Sequence, residues 1–242
     1  MTFSIAARCK ETGMFGVAIT TSSICVGSRC PHARAGVGAV ATQNITDPHL
    51  ATLVLDALQA GDDAATAIDK VVQGRDNINY RQLTAVDNHG KTAHFSGSEI
   101  LGNHAVAEAS HCIAAGNLLA NVDVPEAMVQ NFGINDKAQL AERLLTALEA
   151  GMAAGGEEGP THSAALLVAD KMPFSLVDLR VDWDDEDPVQ RLRKLWSDYE
   201  PQMLDYLNRA INPLAAPSYW DLNMQPEAKE GPPIEMRPLR AS

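Results

Sequence analysis

Thr2 is the residue whose type and position most directly suggest chemistry, because it follows Met1 at the start of the chain. A small second residue permits removal of Met1, which would leave Thr2 with a free α-amine beside its own hydroxyl. An α-amine has a pKa of about 7.7–8.0 and can act as a general base at neutral pH. A threonine hydroxyl activated by its own amine is a known type of nucleophile. Thr2 is therefore a candidate catalytic residue.

The histidines and cysteines predict no metal site. No two of the seven histidines have the four-residue helical spacing of a ligand pair, and none of the four cysteines forms a C-x-x-C pair. We expect free structural thiols and no bound metal. His162 is the most interesting histidine, because it lies between a glycine-rich loop at residues 155–160 and the start of an apolar run. It is a candidate substrate-binding residue.

The sequence also lacks the motifs of nucleotide and dinucleotide cofactors. It contains neither the phosphate-binding G-x-x-x-x-G-K-[ST] nor the zinc-binding H-E-x-x-H. The pair Gly36 and Gly38 lies in a strand-like run without the third glycine and the following helix of a dinucleotide-binding loop. We therefore expect no cofactor.

The elements that must position Thr2 are strands interrupted by pairs of helices. Apolar runs and turn signals predict strands at 3–8, 14–21, 35–42, 82–87, 91–96, 111–115, 163–169 and 174–181, and helices at 48–60, 63–73, 125–132 and 137–154. Helices in consecutive pairs do not suit the alternation of a parallel α/β fold. This order predicts an α+β domain over residues 1–182, with antiparallel sheets and helical layers outside them.

The remainder of the chain has a different pattern. Residues 183–212 are predicted to form a helical extension, in which Pro201 kinks or divides the helix. Residues 213–242 are rich in proline and show little periodicity, which predicts an arm or a tail.

Composition limits the partners. A net charge of −12 gives the long-range field the wrong sign for a nucleic acid or an anionic membrane surface. No run approaches the roughly 20 apolar residues of a membrane-spanning helix, and the N-terminus does not resemble a signal peptide. We expect a cytoplasmic protein without nucleic-acid or membrane partners.

Several blocks of the sequence resemble the DUF1028 family, a bacterial and archaeal family of unknown function. The most specific block is ARAGVGAVATQ at residues 33–43, and it is accompanied by TFSIAAR at 2–8, ETG at 11–13, GNLL at 116–119, AERLL at 141–145, SAALLV at 163–168 and VDLRVD at 177–182. That family in turn resembles the N-terminal-nucleophile hydrolases. The resemblance implies a four-layer α-β-β-α sandwich, in agreement with the predicted order of elements, and a homodimer.

The same resemblance places Thr2 where a nucleophile would stand and suggests which residues surround it. Ser23, just past the neighbouring strand, would line the cleft, and Arg34 would supply positive charge to the amine or to a substrate carboxylate. Gln43 or Asn44 would stabilise an oxyanion.

Three functions remain open at this point. The first is hydrolysis of an amide bond in a small molecule or short peptide by Thr2. The second is a non-catalytic ligand-binding or assembly role on the same fold, because a fold alone does not fix a function. The third is a cyclic-amide hydrolase that uses another nucleophile.

Overall fold

The computed structural model describes residues 1–214 and residue 216. Its strands are β1 (Thr2–Arg8), β2 (Phe15–Thr21), β3 (Pro31–Arg34), β4 (Gly38–Asn44), β5 (Arg81–Asp87), β6 (Thr92–Ser96), β7 (Ala105–Ala109), β8 (Cys112–Asn117), β9 (Ser163–Ala169) and β10 (Val177–Val181). Its α-helices are α1 (Pro48–Gln59), α2 (Ala64–Val72), α3 (Val124–Phe132), α4 (Leu140–Ala153), α5 (Pro188–Tyr199) and α6 (Met203–Ile211).

The described strands form two antiparallel sheets that face each other. The first sheet has the order β10-β9-β2-β1-β8-β7, and the second has the order β3-β4-β5-β6. Between the sheets lies an apolar cluster in which Phe15 is surrounded by small and medium side chains, contributed by β1, β2, β4, β5 and β8. Ala6, Ala39 and Ala41 belong to this cluster, and their small size allows the two sheets to pack closely.

Helices cover both outer faces. The helices α1 and α2 pack on the four-stranded sheet through a buried cluster that includes Leu50, Val54 and Ile68. The helices α3 and α4 cover the six-stranded sheet, and at Gly151 of α4 a Cβ atom would lie only 2.8 Å from Cε2 of Phe3. The fold is therefore a four-layer α-β-β-α sandwich, which confirms the predicted fold class.

One predicted strand has different bounds. The run at residues 35–42 reads as one strand, but β3 ends at Arg34 and β4 begins at Gly38, with a tight turn between them. Gly36 has a φ of 70°, a left-handed conformation that glycine adopts readily and that the turn requires. The apolar small residues that suggested a strand thus include the turn of a hairpin. The edge strands β3 and β7 were not predicted, because their sequences, PHAR and AVAEA, contain no run of β-branched or large apolar residues.

The compact unit that contains the sandwich runs from Met1 to Met203, so the predicted boundary after residue 182 needs correction. The helix α5 packs on β9 and β10 and buries Trp196, which is 1% exposed and donates from Nε1 to Oε2 of Glu142 at 2.8 Å. The first half of the predicted extension is therefore part of the domain.

The chain around Pro201 is divided as the sequence predicts. A short 3₁₀ turn, Glu200–Gln202, separates α5 from α6. A second unit comprises Leu204–Ser242, and its described part continues α6 to Ile211. The predicted proline-rich arm at 213–242 lies almost entirely outside the described residues. Within residues 1–214, no helix combines the length and the apolar character needed to cross a bilayer.

Candidate active site

A row of four polar residues crosses one end of the six-stranded sheet, on neighbouring strands. Thr2 pairs with Asn117 of β8 on one side and with Thr21 of β2 on the other, and Thr21 pairs with Ser163 of β9. All four are buried. Residues in register across antiparallel strands point to the same face of a sheet. Since Ser4, two residues after Thr2, reaches Gln43 of the second sheet, this row faces the interior between the sheets.

The carbonyl oxygen of Met1 is the centre of this row. The Oγ1 of Thr2 donates to it at 2.5 Å, and the Oγ1 of Thr21 donates to the same oxygen. The two hydroxyl oxygens lie 3.1 Å apart. Two hydroxyls therefore converge on one carbonyl oxygen, that of the residue bonded to the nitrogen of Thr2.

The loop after β2 holds Thr21 in place. The Oγ of Ser23 lies 3.3 Å from Oγ1 of Thr21 and accepts from Nη2 of Arg29 at 2.6 Å. The Oγ of Ser163 donates to the carbonyl oxygen of Ser23 at 2.6 Å and accepts from the amide of Val26 at 3.1 Å. The loop is thus attached to the neighbouring strand at two points, which fixes the position of the Thr21 hydroxyl.

A buried chain of side-chain amides lies one step deeper between the sheets. Ser4 donates to Oε1 of Gln43 at 2.7 Å, and Nε2 of Gln43 donates to Oε1 of Gln82 at 2.8 Å. Nδ2 of Asn117 also donates to Oε1 of Gln82, at 3.2 Å. Oδ1 of Asn117, next to Thr2 in the row, has no hydrogen-bond partner among the described residues. It is an acceptor that remains available at the site.

Glu157 is a buried acidic residue that the fold brings to this end of the sheet. Its backbone bridges to Leu119 just after β8, and the neighbouring amide of Glu158 donates to the carbonyl of Leu118 at 3.0 Å. The carboxyl group is 7% exposed, and neither oxygen has a hydrogen-bond partner within residues 1–214. Burial raises the pKa of Glu157 to about 8, and the charge of the Met1 ammonium acts in the opposite direction.

Comparison with protein families gives one match, described as a family of unknown function, DUF1028, over residues 2–192. A crystal structure of a protein from Silicibacter pomeroyi that carries the same family description is 32% identical, with a TM-score of 0.76, over 82% of this chain and 88% of that one. The chain belongs to the DUF1028 family. No curated protein matches it.

More distant solved structures also superpose. Anbu, the ancestral β-subunit, from Yersinia bercovieri is 11% identical with a TM-score of 0.38, over 84% of this chain and 97% of that one. A Gly-1 mutant of Anbu from Hyphomicrobium sp. strain MC1 is 12% identical with a TM-score of 0.44, over 84% and 96%. Similarity at this level says nothing about a shared activity.

Two of the residues that were predicted to surround Thr2, Ser23 and Gln43, lie close to it in the structure. The hydroxyl of Ser23 is linked to that of Thr2 through the hydroxyl of Thr21. Gln43 contacts Ser4 and Gln82 rather than the Met1 carbonyl. It therefore lies deeper between the sheets and is not placed to bind an oxyanion at the position of that carbonyl.

Asn44 and Arg34 have other partners. The side chain of Asn44 donates to the carbonyl of Tyr80 at 2.7 Å and accepts from the amide of Leu101 at 3.3 Å, which fixes the end of β4. Arg34 lies at the opposite end of the sandwich, where it donates to Asp56 at 2.9 Å and to Gln59 at 2.6 Å. The prediction placed Arg34 beside the cleft, at the start of the strand at 35–42, but Arg34 ends β3, next to the turn at Gly36.

His162 neighbours the polar row but its ring is directed elsewhere. Its backbone amide donates to the carbonyl of Thr21 at 2.8 Å. Its ring stacks on Trp183 at 4.3 Å between centroids, with Nδ1 3.2 Å from the carbonyl oxygen of Asp184. Successive strand residues point to opposite faces, so Ser163 points into the row and His162 away from it.

Sequence reasoning missed Thr21 and Asn117, and it placed Glu157 only within the glycine-rich loop at residues 155–160. A polar residue at the end of an apolar strand is a weak signal by itself. Only strand register shows that two such ends lie beside Thr2. Across residues 1–214 and 216, no group of three or more His, Cys, Asp or Glu side chains could hold a metal ion.

Proposed function

We propose that this DUF1028 protein hydrolyses amide bonds of a small molecule or short peptide as an N-terminal-nucleophile enzyme, with Thr2 as nucleophile after removal of Met1. The observation that supports this proposal is the convergence of the Thr2 and Thr21 hydroxyls on one carbonyl oxygen at a buried strand end. A carbonyl group is already bound at this position in the unprocessed chain, and that group belongs to the residue whose loss would free the amine.

The reaction would proceed in two balanced steps. In the first, Oγ1 of Thr2 attacks the substrate carbonyl carbon while the free α-amine of Thr2 accepts the hydroxyl proton. The C–N bond then breaks, the proton passes to the leaving nitrogen, and an ester to Thr2 remains. In the second step, water adds to the ester carbonyl and the Oγ1–C bond breaks, which releases the acid and restores the hydroxyl.

Thr21 would provide the hydrogen bond to the oxyanion. Its hydroxyl donates to the carbonyl oxygen of Met1, and a substrate carbonyl at the same place would receive the same donor. A donor fixed before the reaction stabilises the negative charge of the tetrahedral intermediate without reorganisation. Ser23 and Ser163 position the loop that follows Thr21, so they are positioning residues.

The test uses protein that begins at Thr2, prepared by cleavage of a leader that leaves no extra residue, with intact mass to verify the N-terminus. We expect this form to hydrolyse some of a panel of amino-acid, acyl and peptide anilides. Protein that retains Met1 should be inactive, and Thr2→Ala should lower kcat/KM about a thousandfold or more. Thr2→Ser keeps a hydroxyl nucleophile and is the matched control.

Two results would overturn the proposal. Activity that survives Thr2→Ala would identify another nucleophile, as in a cyclic-amide hydrolase. Retention of Met1 on essentially all molecules isolated from the native host would exclude a mechanism that needs the free amine.

A further inference from the structure

The bond between Met1 and Thr2 indicates where the acyl part of a substrate would lie. In the proposed reaction the acyl group becomes an ester on Oγ1 of Thr2, next to the free amine of the same residue. In the unprocessed chain the methionyl group is an amide on that amine, with its carbonyl oxygen 2.5 Å from Oγ1. The two are isomers that differ only in whether the acyl group is carried by the nitrogen or by the oxygen of Thr2. Met1 therefore occupies the acyl site.

The side chain of Met1 lies on the glycine-rich loop. A Cβ atom on Gly159 would be 3.2 Å from Cε of Met1 and 3.6 Å from Sδ, so the absence of a side chain at Gly159 makes the room that the thioether uses. A long unbranched apolar side chain fits this position.

The ammonium group of Met1 is close enough to two buried side chains to influence their ionisation. Its charge opposes the rise in the pKa of Glu157 and of Cys30, which precedes β3, and it forms no ion pair with Glu157 in the described part of the chain. Glu157 belongs to the same loop as Gly159, so one short segment carries both the nearby carboxyl group and the glycine beside the Met1 thioether.

The carboxyl group of Glu157 is otherwise unexplained. Glu157 is 7% exposed, and neither carboxyl oxygen has a hydrogen bond of good geometry among the described residues, although the backbone of Ser22 is near enough to oppose the rise in its pKa. Burial of a carboxylate without a partner is costly, and such groups in proteins are normally paired with a cation or hydrogen-bonded. With a pKa of about 8, the carboxyl group is mostly protonated at pH 7 in the free protein. A cation that arrives with the substrate would supply the missing partner of the carboxylate and displace that proton.

We infer that this site accepts amides whose acyl part is an α-amino acid with a free ammonium group, and that Glu157 binds that ammonium while Gly159 leaves room for the side chain. The substrate class is then an amino-acid amide or the N-terminal residue of a short peptide, and the products are a free amino acid and an amine. This inference rests on the proposed role of Thr2.

The test compares two substrates on protein that begins at Thr2: L-methionine p-nitroanilide, which carries an ammonium group at pH 7, and its N-acetyl derivative, which carries none. We expect kcat/KM to favour the first by more than tenfold. Glu157→Gln should reduce this preference to less than threefold. Glu158→Gln, in the exposed neighbour, is the matched control and should leave the preference unchanged.

A second variant tests the inference without altering charge. Gly159→Val places a branched side chain where Met1 lies, and we expect it to lower kcat/KM for the methionine anilide at least tenfold while the alanine anilide loses less than threefold. This variant keeps the inference testable if Glu157→Gln does not fold.

Binding separates failure of this inference from failure of the proposed function. Titration calorimetry with L-methioninamide and N-acetyl-L-methioninamide, on Thr2→Ala protein that begins at residue 2, needs no turnover. Equal hydrolysis of the free and acetylated anilides would overturn the inference and leave the hydrolase intact. Glu157-dependent binding of methioninamide without turnover of any amide would support the inference and overturn the proposed hydrolase. Binding of neither compound would also overturn the inference.

Discussion

The hydroxyl of Thr21 and the carbonyl oxygen of Met1 are joined by a hydrogen bond across two paired strands. Thr21 is thus the residue that touches the carbonyl group at the candidate nucleophile without being the nucleophile itself. Its position depends on the register of β1 and β2, in which Thr21 lies directly opposite Thr2.

Removal of the Thr21 hydroxyl should impair catalysis much more than folding. Valine has nearly the same shape as threonine, so Thr21→Val keeps the packing and loses the oxyanion donor. We expect kcat to fall by about 10²–10³, as is typical for loss of one such donor. Thr21→Ser, which keeps the hydroxyl, should retain most activity. Equal activities of the two variants in an anilide assay would contradict this role.

Glu157 should make the stability of the protein depend on pH. Burial raises its pKa to about 8, whereas the pKa of a glutamate in an unfolded chain is about 4.3. Between these values the folded protein holds a proton that the unfolded chain releases, so stability falls as pH rises from about 4.3 to about 8. Each pKa unit corresponds to about 1.4 kcal/mol.

Urea unfolding at pH 5 and pH 8 measures this effect. The glutamine side chain in Glu157→Gln cannot ionise. We therefore expect the free energy of unfolding of this variant, relative to that of the unsubstituted protein, to be higher at pH 8 than at pH 5. Glu158→Gln removes the same formal charge at an exposed position and should follow the unsubstituted protein. If Glu157→Gln also follows it, the buried carboxyl group does not have a raised pKa.

Gln43 should contribute to stability rather than to oxyanion binding. Gln43→Leu would leave the buried hydroxyl of Ser4 without its partner, at a cost of about 1–3 kcal/mol, whereas Oε1 of Gln82 would keep the hydrogen bond from Asn117. Gln59→Leu, at an exposed position, should change the free energy of unfolding by less than about 0.5 kcal/mol. Similar losses in both variants, measured by chemical denaturation, would show that the amide chain is unimportant.

Trp196 should be as important to the sandwich as a residue of the main core. Trp196→Ala is expected to lower stability by about 3–5 kcal/mol, because the side chain is fully buried and bonded to Glu142. Leu195→Ala, next to it on α5 but 37% exposed, should have a much smaller effect. Comparable midpoints of thermal unfolding for the two variants would argue against α5 as part of the domain.

Local patterns predicted most of the fold. The β-branched and apolar runs of β2 and β9, and Asp47 with Pro48 at the start of α1, are strong short-range signals, and the structure confirms them. The same signals are weak in β3 and β7, which are short edge strands. The prediction of a strand at residues 35–42 was right for 38–42, which belong to β4, and wrong for 35–37, where a turn of small residues has the same composition as a strand.

The candidate site was less predictable because it depends on long-range pairing. Thr2 could be named from its position at the chain start, and Ser23 from its position after a strand. Thr21 and Asn117 could not, because their meaning comes from register with Thr2. Arg34 was misplaced because it and Gln43 flank the two ends of the predicted run at 35–42. In the structure Gln43 lies at the site end of β4, and Arg34 pairs with Gly38 at the other end of that strand.

The row of Asn117, Thr2, Thr21 and Ser163 has a consequence for folding specificity. A shift of one strand by a single residue would turn its polar member from the space between the sheets toward the apolar surface under α3 and α4. A displaced hydroxyl or amide would lose its partners there and remain buried. The residues that would perform the chemistry therefore also penalise wrong alignments of four neighbouring strands, so the correct pairing of β8, β1, β2 and β9 is encoded in the site itself.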